Sequence, residues 1–198
     1  MRIIETKVYQ LHELSSEAQE KAIENVRNHE WYLSYEWYDG VYEDAKTVAA
    51  LFGLEIDEIY FSGFYSQGDG ACFKGYYSYK KGSVKAVEEY APHDMKLQGI
   101  VQGLQDIQRR FFYGLFAGTK HRGHYYHSSC MYVDVWHDHY SYYVYEDADY
   151  EVTDLLRQFA DWIYSKLKDE YKYLMSDEAV RATIEDNEYE FDEEGNWI

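Results

Sequence analysis

The sequence predicts a single α+β domain over residues 1–198, an antiparallel sheet of about four to six strands with amphipathic helices packed on one face. Three observations lead there. Two aromatic, β-prone runs between Ile59 and Tyr79 flank the turn Ser66-Gln67-Gly68-Asp69-Gly70, which is hairpin chemistry. Apolar residues recur at helical spacing in three long stretches. Of the 198 residues, 46% are hydrophobic and 19% aromatic, enough for a packed core.

Arg2 to Gln10 alternates Ile, Val and Tyr with polar and charged residues and reads as a first strand. Ser16 with Gln19 has capping-box spacing, so a helix is expected from about Glu17 into the aromatic run Trp31–Tyr38, ended by Asp39-Gly40. Val41, Ala45, Val48 and Phe52 form the next stripe, closed by Gly53. Leu54 to Phe61 and the run up to Tyr79 are the hairpin strands. Ser83 to Tyr90 makes a short helix stopped by Pro92, the chain's single proline. Asp94 caps a helix whose stripe is Leu97, Ile100, Val101, Leu104, Ile107 and Phe111. One or two further strands fit Tyr113 to Ser141, the clearest from Tyr125 to His137. Val152, Leu155, Leu156, Phe159, Ile163 and Leu167 mark the longest helix, about Glu151 to Met175, and Ser176 opens another. Residues 185–198 hold seven acids between Glu185 and Glu194 and read as an acidic tail or an edge strand.

Charge is the strongest compositional signal. The net value is −18, and it is uneven: residues 1–61 carry −8, residues 62–140 carry +2 and residues 141–198 carry −12. Such a chain repels nucleic-acid phosphates and attracts basic proteins, so direct nucleic-acid binding is not expected. Glu17, Glu20 and Glu24 on the first helix, with Glu185, Asp186, Glu188, Glu190, Asp192, Glu193 and Glu194, are the candidate partner-binding acids. Rows of carboxylates on a rigid scaffold can imitate the phosphates of DNA, and the competing reading is that they serve solubility. Tyrosine is in excess at 24 copies, either as contact area for a partner or as the lining of an exposed sheet face.

Cys72 and Cys130 form no metal or redox motif, and a reduced, cytosolic protein is expected. The opening MRIIETKVYQ lacks the apolar core of a signal peptide, and no apolar run reaches membrane-spanning length. No oligomeric state follows from the sequence.

Two segments are candidates for a small-molecule site. The turn, with Tyr65, Ser66, Gln67 and Asp69, can present backbone N–H groups to an anion, yet it lacks the lysine and helix start of a P-loop. His121, His124 and His127 lie in HRGHYYH, where steps of three alternate faces on a strand. His137 and His139 can share a strand face. Neither set has zinc-motif spacing, so no metal or cofactor is expected, and no nucleophile-and-base motif marks a catalytic residue.

The start IIETKVYQLHELSSEAQEKAIENVRN and the core DEIYFSGFYSQGDGACFKGYYSYKKGSVKAV, LQDIQRRFFYGL and HRGHYYH resemble a family of small acidic proteins encoded by phages, prophages and other bacterial mobile elements. Members are sometimes labelled antitoxins of a toxin–antitoxin stability system. The resemblance covers most of residues 1–135, and YFSGFYSQGDGACF is its most specific part. It implies the company of mobile elements; together with the net charge and the excess tyrosine it points to a non-enzymatic accessory protein in the bacterial host cytoplasm that blocks a basic, nucleic-acid-binding defence protein or ribonucleoprotein complex, or neutralises a toxin. It also implies that the turn and HRGHYYH form a shared ligand site. The alternative carried with it is a nucleotide-like ligand site or hydrolase built on those two segments.

Overall fold

The structure is a computed structural model, which describes residues 7–33, 36–138 and 146–198. Along these residues the order is β1 (Tyr9–Gln10), α1 (Ser16–Arg27), α2 (Asp39–Leu51), β2 (Leu54–Ser62), β3 (Gly70–Ser78), α3 (Ser83–Tyr90) and α4 (Met95–Arg110). There follow β4 (Leu115–His121), β5 (Met131–His137), α5 (Glu146–Leu174), α6 (Asp177–Asp186) and β6 (Glu190–Phe191). The class is α+β, as the sequence predicts. The chain packs as two compact units, Asp39–Lys168 and Met1–Tyr38 with Asp169–Ile198.

The larger unit is built on a four-stranded antiparallel sheet in the order β2-β3-β4-β5. Strands β2 and β3 are the predicted hairpin, with a register shift between Ile56 and Glu58. Alternation along β3 sends Phe73 and Tyr77 inward, and Phe73 packs edge-on against Phe159 of α5 at 5.9 Å. Phe52, just after α2, meets the same ring at 5.0 Å. The stripe of α4 is buried as its spacing requires: Leu97, Ile100, Leu104 and Ile107 are all 3% exposed or less. Asp94 caps α4 by accepting from Leu97 N at 3.0 Å, and its other oxygen accepts from Trp162 Nε1 at 2.8 Å and lies 2.9 Å from Lys166 Nζ. Buried Gln108 ties α4 to β4 by donating to the Leu115 carbonyl and accepting from its N–H.

The smaller unit closes around Leu11, Ala22, Ile23, Val26, Val180 and Phe191. Its sheet is the pair β1–β6, registered as Tyr9↔Phe191 and Gln10↔Glu190. The acidic C-terminal segment is therefore folded: Phe191 is 0% exposed, and Gly195 lies so close that a Cβ there would sit 2.2 Å from the Ala18 carbonyl oxygen.

Four expectations are corrected. Helix α1 is capped by Ser15, not Ser16, and ends at Arg27, because Trp31 leaves the helical path to pack on Tyr189 and Trp197 at 5.5 and 5.3 Å. Asp39-Gly40 opens α2, with no Cβ contact within 4 Å at Gly40. The strand expected at Tyr125 begins at Met131, since residues before it fold back through a single turn at Ser128–Cys130. Helix α5 starts at Glu146, earlier than Glu151. Residues 2–6 of the first expected strand, Ser34 and Tyr35 of the aromatic run, and His139 with Tyr140 and Ser141 lie outside the described residues. Among the described residues no helix is long and apolar enough to cross a membrane.

Candidate functional site

The hairpin turn is held by one carboxylate. Asp69 Oδ2 accepts from Tyr65 N at 2.9 Å and from Ser66 N at 2.6 Å, which is the local bond an aspartate makes when it mimics a backbone turn. Those N–H groups are thus used internally. Gly68 takes a φ of +90°, which only glycine adopts without strain. The turn is further anchored to α5, whose Tyr164 hydroxyl donates to the Gly63 carbonyl at 3.0 Å, and Lys168 Nζ sits 5.9 Å above the Tyr65 ring.

HRGHYYH folds directly onto this turn. A Cβ at Gly68 would lie 2.8 Å from the Tyr125 ring, and one at Gly70 would lie 2.6 Å from His127 Cα. The two segments that the sequence singles out are therefore neighbours, though 50 residues separate them along the chain. The histidines do not converge. His121 Nε2 lies 3.0 Å from the Tyr125 carbonyl oxygen, and its ring packs against both Tyr60 and Tyr126, at 5.4 and 5.1 Å. His127 Nε2 is 3.5 Å from Cys130 Sγ, with its ring stacked on Tyr125. His124 is exposed and packs edge-on against Tyr125. Among the described residues no three His, Cys, Asp or Glu side chains gather as a metal ion would need. Ser66 and Gln67 are exposed at the tip.

Three partners of this cluster, Tyr60, Cys130 and Cys72, were not among the site residues expected from the sequence. Tyr60 stacks on Tyr126 at 5.6 Å and bonds to Glu58, whose carboxylate, with burial and charge assisting, pushes the phenol up to about 12. Cys130 meets His127. Cys72 lies buried beneath, its thiol pushed up to about 12 by burial first and by Cys130 second, which makes it inert as a nucleophile. Strand alternation places Tyr60 and Cys72 on one face, but nothing local announces Tyr126 above them.

The acidic residues form the second candidate. The smaller unit spans 68 residues with six basic and 18 acidic groups, a net charge of −12, whereas the 130 residues of the larger unit carry −6. Glu17, Glu20 and Glu24 are exposed along α1, on the side away from Ala18, Ala22 and Val26. Glu24 is partly occupied by Arg27 at 2.7 Å and Asn28 at 2.7 Å. Glu185, Asp186, Glu188, Glu190, Glu193 and Glu194 are exposed on and after α6. Glu17, Glu193 and Glu194 line one groove with Lys21, whose ammonium is 3.8 Å from Glu194. Asp192 differs from the rest. It closes a turn, accepting from Glu194 N at 2.9 Å, Asn196 N at 2.8 Å and the Asn196 amide at 2.7 Å. The Asn196 bonds hold its carboxyl below the usual range, and Asp192 thereby closes the turn that carries Glu193 and Glu194.

The family model for Domain of unknown function (DUF8835) matches residues 37–177. The chain belongs to that family. The matched stretch takes in the whole larger unit, with both candidate loops, and only residues 37–38 and 169–177 of the smaller unit. No curated protein and no solved structure matches the chain.

Proposed function

We propose that this DUF8835 chain is a non-enzymatic binding protein that engages a basic, nucleic-acid-binding partner through its acidic unit and blocks that partner's groove. The observation that carries the reading is the concentration of 18 acids against six bases in a 68-residue folded unit. Carboxylates held on helices and on a segment locked by Phe191 and Gly195 lose little freedom on binding, as a competitor of DNA requires. The resemblance to small acidic mobile-element proteins supports a bacterial cytoplasmic setting, with a host defence complex as target; a toxin protein is the same reading with another partner. Charge reversal at three exposed positions, Glu185→Lys, Glu190→Lys and Glu193→Lys, tests it by affinity capture from a bacterial lysate. The triple variant loses the partner, and binding weakens steeply with salt. Binding indifferent to both contradicts the reading.

A second reading rests on the contact of the turn with HRGHYYH, which places Tyr65, Ser66, Gln67 and the exposed His124 in one neighbourhood. It is a small-ligand site for a nucleotide-like molecule. Native mass spectrometry of the purified chain decides it: co-purified nucleotide favours the ligand site, and its loss in His124→Ala assigns it there. Apo protein, with no binding on adding nucleotide, discards it.

A further inference from the structure

A groove of about 210 Å³ opens in the smaller unit, where the chain after β1 meets the end of α6. Leu11 and Ile184, both buried, form its apolar floor, and Gln10 and His12 line it from the side of β1. Tyr189 lines it from the other side, its ring held by Trp31 and Trp197 at 5.5 and 5.3 Å. The rim is Glu185 and Glu188. Two backbone bonds close α6 beneath them: Tyr189 N donates to the Ile184 carbonyl and Glu188 N to the Glu185 carbonyl, each at 3.1 Å. That closure puts Glu188 in the left-handed region, with φ at +52°. Glycine is the usual residue there, so a glutamate keeps a carboxylate at the groove at a conformational cost.

Three sources of negative potential meet at this groove. Glu185 and Glu188 are exposed, and among the described residues neither pairs with a basic side chain. The C-terminal end of α6 adds the partial charge of its last carbonyls, and its last turn holds no basic residue to offset it. The π face of Tyr189 is the third. The occupant is therefore a cation, and the apolar floor and the ring decide which one. An arginine side chain matches part by part: its methylenes lie on Leu11 and Ile184, its guanidinium plane stacks on Tyr189, and its N–H fork reaches the two carboxylates. Lysine offers no plane to stack and no fork. A metal ion lacks ligands, because among the described residues no three His, Cys, Asp or Glu side chains gather. The groove is smaller than the roughly 300–1,000 Å³ of small-molecule pockets, so it takes one side chain. We infer that this groove is the subsite for an arginine side chain of the basic partner, an inference that rests on the reading of the smaller unit as a partner surface.

Fluorescence anisotropy of labelled octa-arginine and octalysine peptides, titrated with the full chain at about 50 mM salt, tests it. The proteins compared are the wild type, Glu188→Gly, Tyr189→Leu and Tyr189→Phe. Glycine suits the left-handed backbone at position 188, so that variant removes the carboxylate and leaves the turn intact. Circular dichroism checks that the Tyr189 variants fold. The wild type is expected to bind octa-arginine at least about fivefold more tightly than octalysine. Glu188→Gly weakens octa-arginine about fivefold or more. Tyr189→Leu loses the preference for arginine with octalysine binding close to wild type, and Tyr189→Phe, which restores the ring, keeps it. Equal binding of the two peptides by the wild type, or an arginine preference that survives in folded Tyr189→Leu, overturns the subsite and leaves the acidic unit standing as a partner surface. If Tyr189→Leu does not fold, Glu188→Gly decides, and an unchanged octa-arginine affinity overturns the subsite. Binding of neither peptide by the wild type overturns both the subsite and the reading beneath it.

Discussion

Gly70 carries the join between the hairpin turn and HRGHYYH, because its missing side chain is the space that His127 fills. Gly70→Ala puts a methyl 2.6 Å from His127 Cα, a backbone contact that cannot swing away. The expected cost is about 1–3 kcal/mol in urea unfolding, with Tyr60–Tyr126 stacking disturbed in near-ultraviolet circular dichroism. Two carboxylates contribute to the acid limit of the fold. Desolvation alone would raise Asp94, but the bonds from Trp162, Lys166 and Leu97 outweigh it and leave its carboxyl lowered; Asp192 is lowered chiefly by Asn196. A lowered carboxyl stabilises the native state above the unfolded value of about 3.9, and that contribution is lost as pH falls through the lower folded value. Urea midpoints are therefore expected to hold level down to about pH 4.5 and drop below it, with a shallower drop in Asp94→Asn. Identical acid profiles for the variant and the wild type would remove Asp94 from the account. Residue by residue, the turn was readable because Gly, Asp and Ser declare their geometry locally. That Gly70 touches His127 was not, since the contact joins segments more than 50 positions apart.

Elements were legible where a single face had to be buried. The spacing of Leu97, Ile100, Leu104 and Ile107 placed α4, and Asp94 marked its start to the residue. The hairpin strands emerged with bounds close to those expected, for the same reason. The reading failed where aromatic residues outnumbered periodic ones. Trp31 and Tyr32 look like a continued helix but serve as packing rings, and the Tyr125–Cys130 stretch looks like a strand but folds over the sheet. The C-terminal segment was open between tail and edge strand, and the answer lies in one side chain. Phe191 is fully buried against the smaller unit's core, and its strand pairs with β1. Phe191→Ala should cost about 3–5 kcal/mol in chemical denaturation and release residues 190–198 to rapid amide exchange. Wild-type stability in that variant would mean the segment is not part of the unit's core.

At the scale of the whole molecule, charge and tyrosine are distributed differently. Acid gathers in the smaller unit, at −12 over 68 residues, while the larger unit carries stacked rings on a sheet face of balanced charge. The sequence disclosed the acidic ends, because counting needs no structure. It did not disclose that both ends belong to one folded unit, nor that Tyr76, Phe116 and Trp136 share a face, which follows only from strand register. The acidic unit is the central claim, and capture from a bacterial lysate at about 50 and 500 mM salt measures it most directly, comparing the wild type with the Glu185, Glu190 and Glu193 reversal. The account predicts that a basic, nucleic-acid-binding protein is retained by the wild type at low salt, is released at high salt, and is never held by the triple variant. Retention of the same partner by both proteins at both salt concentrations would contradict it.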